Sequence, residues 1–159
     1  MLKVKLFTVG NLKESYWRDA SAEYEKRLKH YIDLEVVEIK EVRIKDKASH
    51  TDIVNALNKE ATTILQHINV TDYVVSLAVD GKMFTSEQIS ELIQGWEQNG
   101  KRIIFVIGSS HGLAQSIGHR ADLKLSCSPM TFPHQMIRIF LLEQVYRGYK
   151  ILRNETYHK

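Results

Sequence analysis

Short apolar runs alternate with longer amphipathic stretches along this chain. Val4 to Val9 is an apolar run closed by Gly10-Asn11, and it predicts a first strand. Glu14 to His30 carries Tyr16, Ala20, Tyr24 and Leu28 at helical spacing, a helix with one apolar stripe. Leu34 to Ile39 reads as a second strand and the charged segment Lys40 to Lys47 as an exposed loop. Ser49 with Asp52 three residues on has the form of a capping box, ahead of a helix marked by Ile53, Leu57, Ile64 and Ile68. Asp72 to Val79 is a nearly continuous apolar run, as expected of a strand covered on both faces, with Asp80-Gly81 turning the chain. Thr85 and Gln88 form another capping box before Ile89, Leu92, Ile93 and Trp96, and Asn99-Gly100 stops that helix. Arg102 to Ile107 is a buried-type strand, followed by the loop Gly108 to Gly112. Leu113 to His119 is ambiguous, and Ala121 to Leu125 reads as a fifth strand.

The stretch that organises the chain is Ser126 to Lys150. It opens as a polar loop holding both prolines and runs into the most apolar helix of the sequence, His134 to Leu152. Pro133 suits the first helical position, and Thr131 is a candidate cap. At ~100° per residue, Ile137, Leu141, Val145 and Leu152 make one face, and Ile139, Leu142, Tyr146 and Tyr149 another. Glu143, Arg147 and Lys150 share the polar stripe, and Arg138 projects among apolar neighbours. A helix apolar nearly all round is central to its fold or packs on a second subunit. A charge placed as Arg138 is needs a partner or a ligand.

Strands alternating with helices predict an α/β fold, a mostly parallel sheet covered by helices on both faces. No linker, repeat or low-complexity segment interrupts residues 1–159, which read as a single domain. Composition adds bounds: 43% hydrophobic and 26% charged residues belong to a globular protein, not a disordered one. A net charge of +3 permits a nucleic-acid partner without demanding one. One cysteine, Cys127, allows no internal disulfide. The N-terminus reads as a strand rather than a signal peptide, and no apolar run reaches the ~20 residues of a membrane span. The expected location is the cytoplasm.

Open α/β sheets bind ligands beyond the carboxyl ends of their strands. Three such ends stand out here: Leu77 to Gly81, Gly108 to Gly112, and Ser126 to Phe132. Gly108-x-x-x-Gly112 is neither a dinucleotide fingerprint nor a P-loop. Cys127 has no adjacent basic residue and reads as a small structural side chain rather than a nucleophile. His111, His119, His134 and His158 lack metal-ligand spacing, so no metal is expected. Glu143 and Arg147 have the spacing of an ordinary helix pair.

Together, Phe105-Val-Ile-Gly-Ser-Ser-His-Gly-Leu113, Met130-Thr-Phe-Pro-His-Gln-Met136, Glu143-Gln-Val-Tyr-Arg147 and terminal Tyr157-His-Lys159 resemble the bacterial RlmH family. Thr8-Val-Gly-Asn-Leu-Lys13 and Glu23-Tyr-Glu-Lys-Arg27 resemble it too, so the likeness runs in order along essentially the whole chain. These are 23S rRNA pseudouridine N3-methyltransferases of the SPOUT superfamily. The resemblance implies a C-terminal trefoil knot, S-adenosyl-L-methionine as methyl donor, and a homodimer acting on 23S rRNA, at the helix 69 stem-loop, within the ribosome. It places the cofactor at Leu77, Gly108, Cys127, Ser128, Pro129, Met130, Thr131 and Phe132. It points to Arg147, Tyr157 and His158 as catalytic or base-contacting groups. Arg138, Arg147 and Lys159 are the expected RNA contacts. The family often has Gly-Gly where this chain has Gly108-Ser109, which puts an extra side chain near the cofactor. Two other readings remain open: a SPOUT methyltransferase acting on tRNA, and a non-catalytic RNA-binding or ribosome-assembly protein of the same fold.

Overall fold

The computed structural model describes residues 1–159. Five parallel strands form one sheet in the order β2-β1-β4-β3-β5: β1 (Leu2–Val9), β2 (Ile32–Ile39), β3 (Tyr73–Lys82), β4 (Ile103–Ile107) and β5 (Leu123–Leu125). Five helices connect and follow them: α1 (Ser15–Leu28), α2 (His50–Leu65), α3 (Ser86–Asn99), α4 (Gln115–Arg120) and α5 (His134–Leu152). Alternation along the strands sends side chains to two cores. Leu6, Ile103, Phe105 and Val75 pack with α1, α3 and α5 on one face. Phe7, Ile104, Val106 and Val74 pack with α2 and α4 on the other. Ile103 to Ile107 is apolar without alternation because β4 is covered on both faces, and all five residues are buried.

Both capping boxes form. Ser49 and Thr85 accept the N–H of Asp52 and Gln88, and these return the bond through their side chains. The ambiguous stretch after Gly112 holds a short helix, α4.

Three expectations need correction. Tyr16 is 63% exposed, so the stripe of α1 is carried by Ser21 and Leu28 with Tyr24 half-buried. Asp80-Gly81 does not end the third strand. β3 continues to Lys82, and Leu77 and Lys82 both pair with Leu125, so residues 78–81 bulge out between them. Buried Ser126 closes this bulge, donating its N–H to the Lys82 carbonyl at 2.9 Å and its hydroxyl to the Val79 carbonyl at 2.9 Å. Finally, Pro133 is the residue before the first helical position, with ψ 142°, and no side chain caps the helix, Thr131 included. The Pro133 carbonyl accepts the N–H groups of Met136 and Ile137, and its missing N–H costs nothing there.

No residue of α5 is exposed. It lies over the sheet between α1 and α3, and Gly148 lets α3 come close: a Cβ there would stand 2.6 Å from Ile93 Cδ1. Ser86 Oγ donates to Gln144 Oε1 at 2.7 Å, and Arg153 pairs with Glu97 at 3.1 Å, so the two helices run in the same direction.

Candidate functional site

The loop between β5 and α5 positions the site. It leaves the sheet at the β5 edge, whereas α5 begins beside β1: the His134 ring lies against Gly10, and Arg138 reaches Thr8. Residues 126–133 therefore cross the carboxyl ends of β3 and β4. Beneath the crossing is a cleft of ≈ 950 Å³, near the top of the ~300–1,000 Å³ range of small-molecule sites. Leu77, Gly108, Cys127, Ser128, Met130, Thr131 and Phe132 all line it, and Pro129 lies in the same loop. The structure thus brings these residues to one place from β3, β4 and the crossing loop.

The chemistry of the walls is consistent. Leu77, Ile107, Leu113, Phe132 and Ile137 supply apolar surface, while Ser128, Thr131 and the loop backbones supply donors and acceptors. Lys124 is the one lysine or arginine in the lining. These walls combine apolar surface with neutral hydrogen-bonding groups, which suits a ligand without a polyphosphate. Phe132 is braced edge-to-face by Phe140, ring centres 5.4 Å apart. No group of three or more His, Cys, Asp or Glu side chains could hold a metal ion.

Gly108 matters for a close approach. A Cβ there would overlap the Gly112 carbonyl, so the loop closes only over a glycine. Ser109 lies in the cleft wall beside Gly108, as expected, but its side chain is held: it is buried, bridges to Gly112, and its Oγ accepts the His111 N–H at 3.3 Å. Cys127 is exposed at the rim, and desolvation pushes its thiol above the ordinary range, away from the nucleophilic thiolate.

A family model described as "Predicted SPOUT methyltransferase" matches residues 2–158. The chain belongs to the SPOUT methyltransferase family. Solved structures agree on the fold. A protein of Haemophilus influenzae Rd KW20 described as a probable methylase family protein aligns with 100% of this chain and 72% of its own, at 14% identity and a TM-score of 0.55. A protein of Bordetella pertussis Tohama I described as a probable methyltransferase aligns with 92% of this chain and 94% of its own, at 10% identity and a TM-score of 0.60.

The remaining candidates of this SPOUT chain lie elsewhere. Arg147 forms a two-pronged pair with Glu143, at 2.7 Å from Nη2 and 3.1 Å from Nε. Tyr157 donates to Glu143 Oε1 at 3.1 Å, and the Arg147 guanidinium lies 4.6 Å from its ring centre. Burial and the Glu143 carboxylate push the Tyr157 phenol up to about 12. His158 bridges Arg147 (3.2 Å) and Glu87 (2.8 Å). The tail is thus folded onto α5 and the start of α3, and Lys159 is exposed. At ~1.5 Å per residue, about 15 Å of helix separates Arg147 from Ile137 on the cleft.

Arg138 is spent differently from expectation. It is 5% exposed, donates to Thr8 Oγ1 at 2.7 Å and pairs with Glu38 at 2.9 Å. The partner that the sequence demanded is internal, and a guanidinium so engaged is not presented to a phosphate. Glu143 was missed as a site residue because its i, i+4 pairing with Arg147 already explained it. Nothing local in the sequence shows that it also receives Tyr157.

Proposed function

We propose that this protein transfers a methyl group from S-adenosyl-L-methionine to N3 of a pseudouridine in 23S rRNA, in the helix 69 stem-loop of the ribosome, as a homodimer. The observation that carries the reading is the convergence of three strand ends under the 126–133 crossing, in a chain of a methyltransferase family. When bound, the donor supplies a methyl carbon on a sulfonium, ready for in-line displacement. The chain's own part is to position donor and acceptor. Leu77, Gly108 and Cys127 to Phe132 hold the donor through backbone groups and apolar walls. The crossing loop and α5 form the C-terminal knot that the resemblance implies.

Arg147, Tyr157 and His158 serve the RNA side, with Lys159 as a phosphate contact. Arg147 suits a phosphate or base carbonyl through its planar fork, and Tyr157 suits stacking on an unstacked base. Their distance from the cleft of their own chain supports a dimer in which each tail serves the partner's cleft. Val79, Met83 and Met130, exposed by 56%, 59% and 66%, lie at the carboxyl end of the sheet and supply apolar surface for that association.

Calorimetric titration with S-adenosyl-L-methionine tests the pocket. Gly108→Val is a poor probe, because the 108–112 loop must open to take it. Thr131→Trp fills the cleft from an exposed position without entering the core. It should weaken binding at least ~10-fold, about 1.4 kcal/mol, at an unchanged melting temperature. Wild-type affinity in this variant would place the donor elsewhere.

A further inference from the structure

Methylation at N3 requires loss of the N3 proton, so something near the cleft must receive it. The sequence pointed to His158, but both of its ring nitrogens are taken, by Arg147 and Glu87. Three other histidines line the cleft: His111, His119 and His134. His111 and His119 are exposed, whereas His134 is partly buried at the first residue of α5.

We infer that His134 is the proton acceptor, acting from the β1 side of the cleft opposite the β3 and β5 strand ends; the inference rests on the methyl-transfer reading above. The geometry favours it in three ways. The ring follows directly on Phe132-Pro133, so it is tied to the loop proposed to hold the donor. Its backbone is fixed by the start of a 19-residue helix, not by a free tail. Its Nε2 lies beside Gly10, at van der Waals distance (3.6 Å) from where a Cβ would stand, so the absent side chain leaves that side of the nitrogen uncovered.

The surroundings keep the ring neutral and ready to accept. Desolvation pushes the imidazole below its usual pKa, Glu41 opposes this, and Arg138 adds to it. The positive end of the α5 dipole acts in the same direction as Arg138. Glu41 faces the ring from the loop after β2, with Glu38 behind Arg138. The other titratable groups along the cleft are His111 and His119, Asp80 in the β3 bulge, Lys124 on β5 and Cys127 in the crossing loop. Glu41 is placed to stabilise the imidazolium that forms.

The step balances. The N3–H bond breaks as the imidazole nitrogen takes the proton. The freed N3 pair forms the bond to the methyl carbon, and the carbon–sulfur pair stays on sulfur, leaving a neutral thioether. His134 then returns its proton to water.

Three readouts test this. Imidazole NMR of the whole protein without donor should show the His134 resonance, assigned with His134→Gln, titrating below ~6.5. A ring still protonated at neutral pH would overturn the inference. His134→Gln and His134→Asn should keep donor affinity within about twofold and the wild-type melting temperature. Their kcat on ribosomes from cells lacking the protein should fall by ~10²-fold or more. The kcat/KM profile should also lose its acid limb. Glu41→Gln should move that limb to lower pH, since the group that raises the imidazole pKa is gone. Wild-type kcat with an unchanged acid limb in both His134 variants would overturn the inference while leaving methyl transfer intact. A wild-type protein that binds the donor but methylates no ribosome would instead sink the functional reading.

Discussion

Arg138 is the residue where placement decides consequence. Its side chain is 6% exposed, whereas that of its partner Glu38 is 44% exposed. The two ends of this ion pair should therefore respond unequally to mutation. Glu38→Ala leaves a buried guanidinium with only the Thr8 hydroxyl, and removal of one partner from a buried charge costs roughly 3 kcal/mol. Arg138→Met keeps the apolar stem and leaves Glu38 free to hydrate, so the loss should be nearer ~1 kcal/mol. Urea denaturation of the two variants should show this order. Equal losses would mean that the guanidinium is not held as described. Tyr149 raises a related point, since it is fully buried and its hydroxyl makes no hydrogen bond. Burial, with Glu97 nearby, pushes its phenol above the ordinary range, so it stays neutral.

Among the elements, β3 ties the sheet together and carries its clearest pH dependence. Asp72, just before it, accepts from Arg102 at 2.6 and 3.0 Å and from the Asn69 N–H at 2.7 Å. Burial alone would raise this carboxyl, but the Arg102 and Asn69 hydrogen bonds hold it below its ordinary value. The unfolded chain then binds the proton first as pH falls. The stabilisation is complete above the unfolded value of ~3.9 and is lost below it, through the folded value. Asp72→Asn should lower stability at pH 7 and flatten the decline below about pH 4. An unchanged acid slope would remove Asp72 from the account. Much of this architecture was legible in the sequence, because capping boxes and apolar runs are local signals. Ser49, Thr85 and the Arg102 to Ile107 run each declare themselves within a few residues. The β3 bulge was not legible: Asp80-Gly81 has turn chemistry, and only pairing with Leu125 carries the strand past it. The Arg138 partner was equally hidden, since Glu38 lies a hundred residues away. The loops after β4 and β5 were legible from their glycines and prolines, whereas Leu77 lies within β3, and the convergence of these segments depends on where α5 begins.

For the whole molecule, the separation between the cleft and the tail cluster makes a prediction about assembly. A dimer with tails in trans should show complementation. One chain carries Thr131→Trp with an intact tail, and the other lacks Tyr157 to Lys159 but has an intact cleft. Neither homodimer should methylate ribosomes, whereas mixed dimers should recover activity at the one cleft that has both parts. No recovery would return each tail to its own cleft. The central claim is methyl transfer to one pseudouridine of 23S rRNA, and mass mapping of rRNA tests it most directly. Ribosomes from cells lacking this protein should miss one methyl group on one pseudouridine, and incubation with the wild-type protein and S-adenosyl-L-methionine should restore it while Thr131→Trp does not. An rRNA methylation map unchanged by loss of the protein would contradict the account.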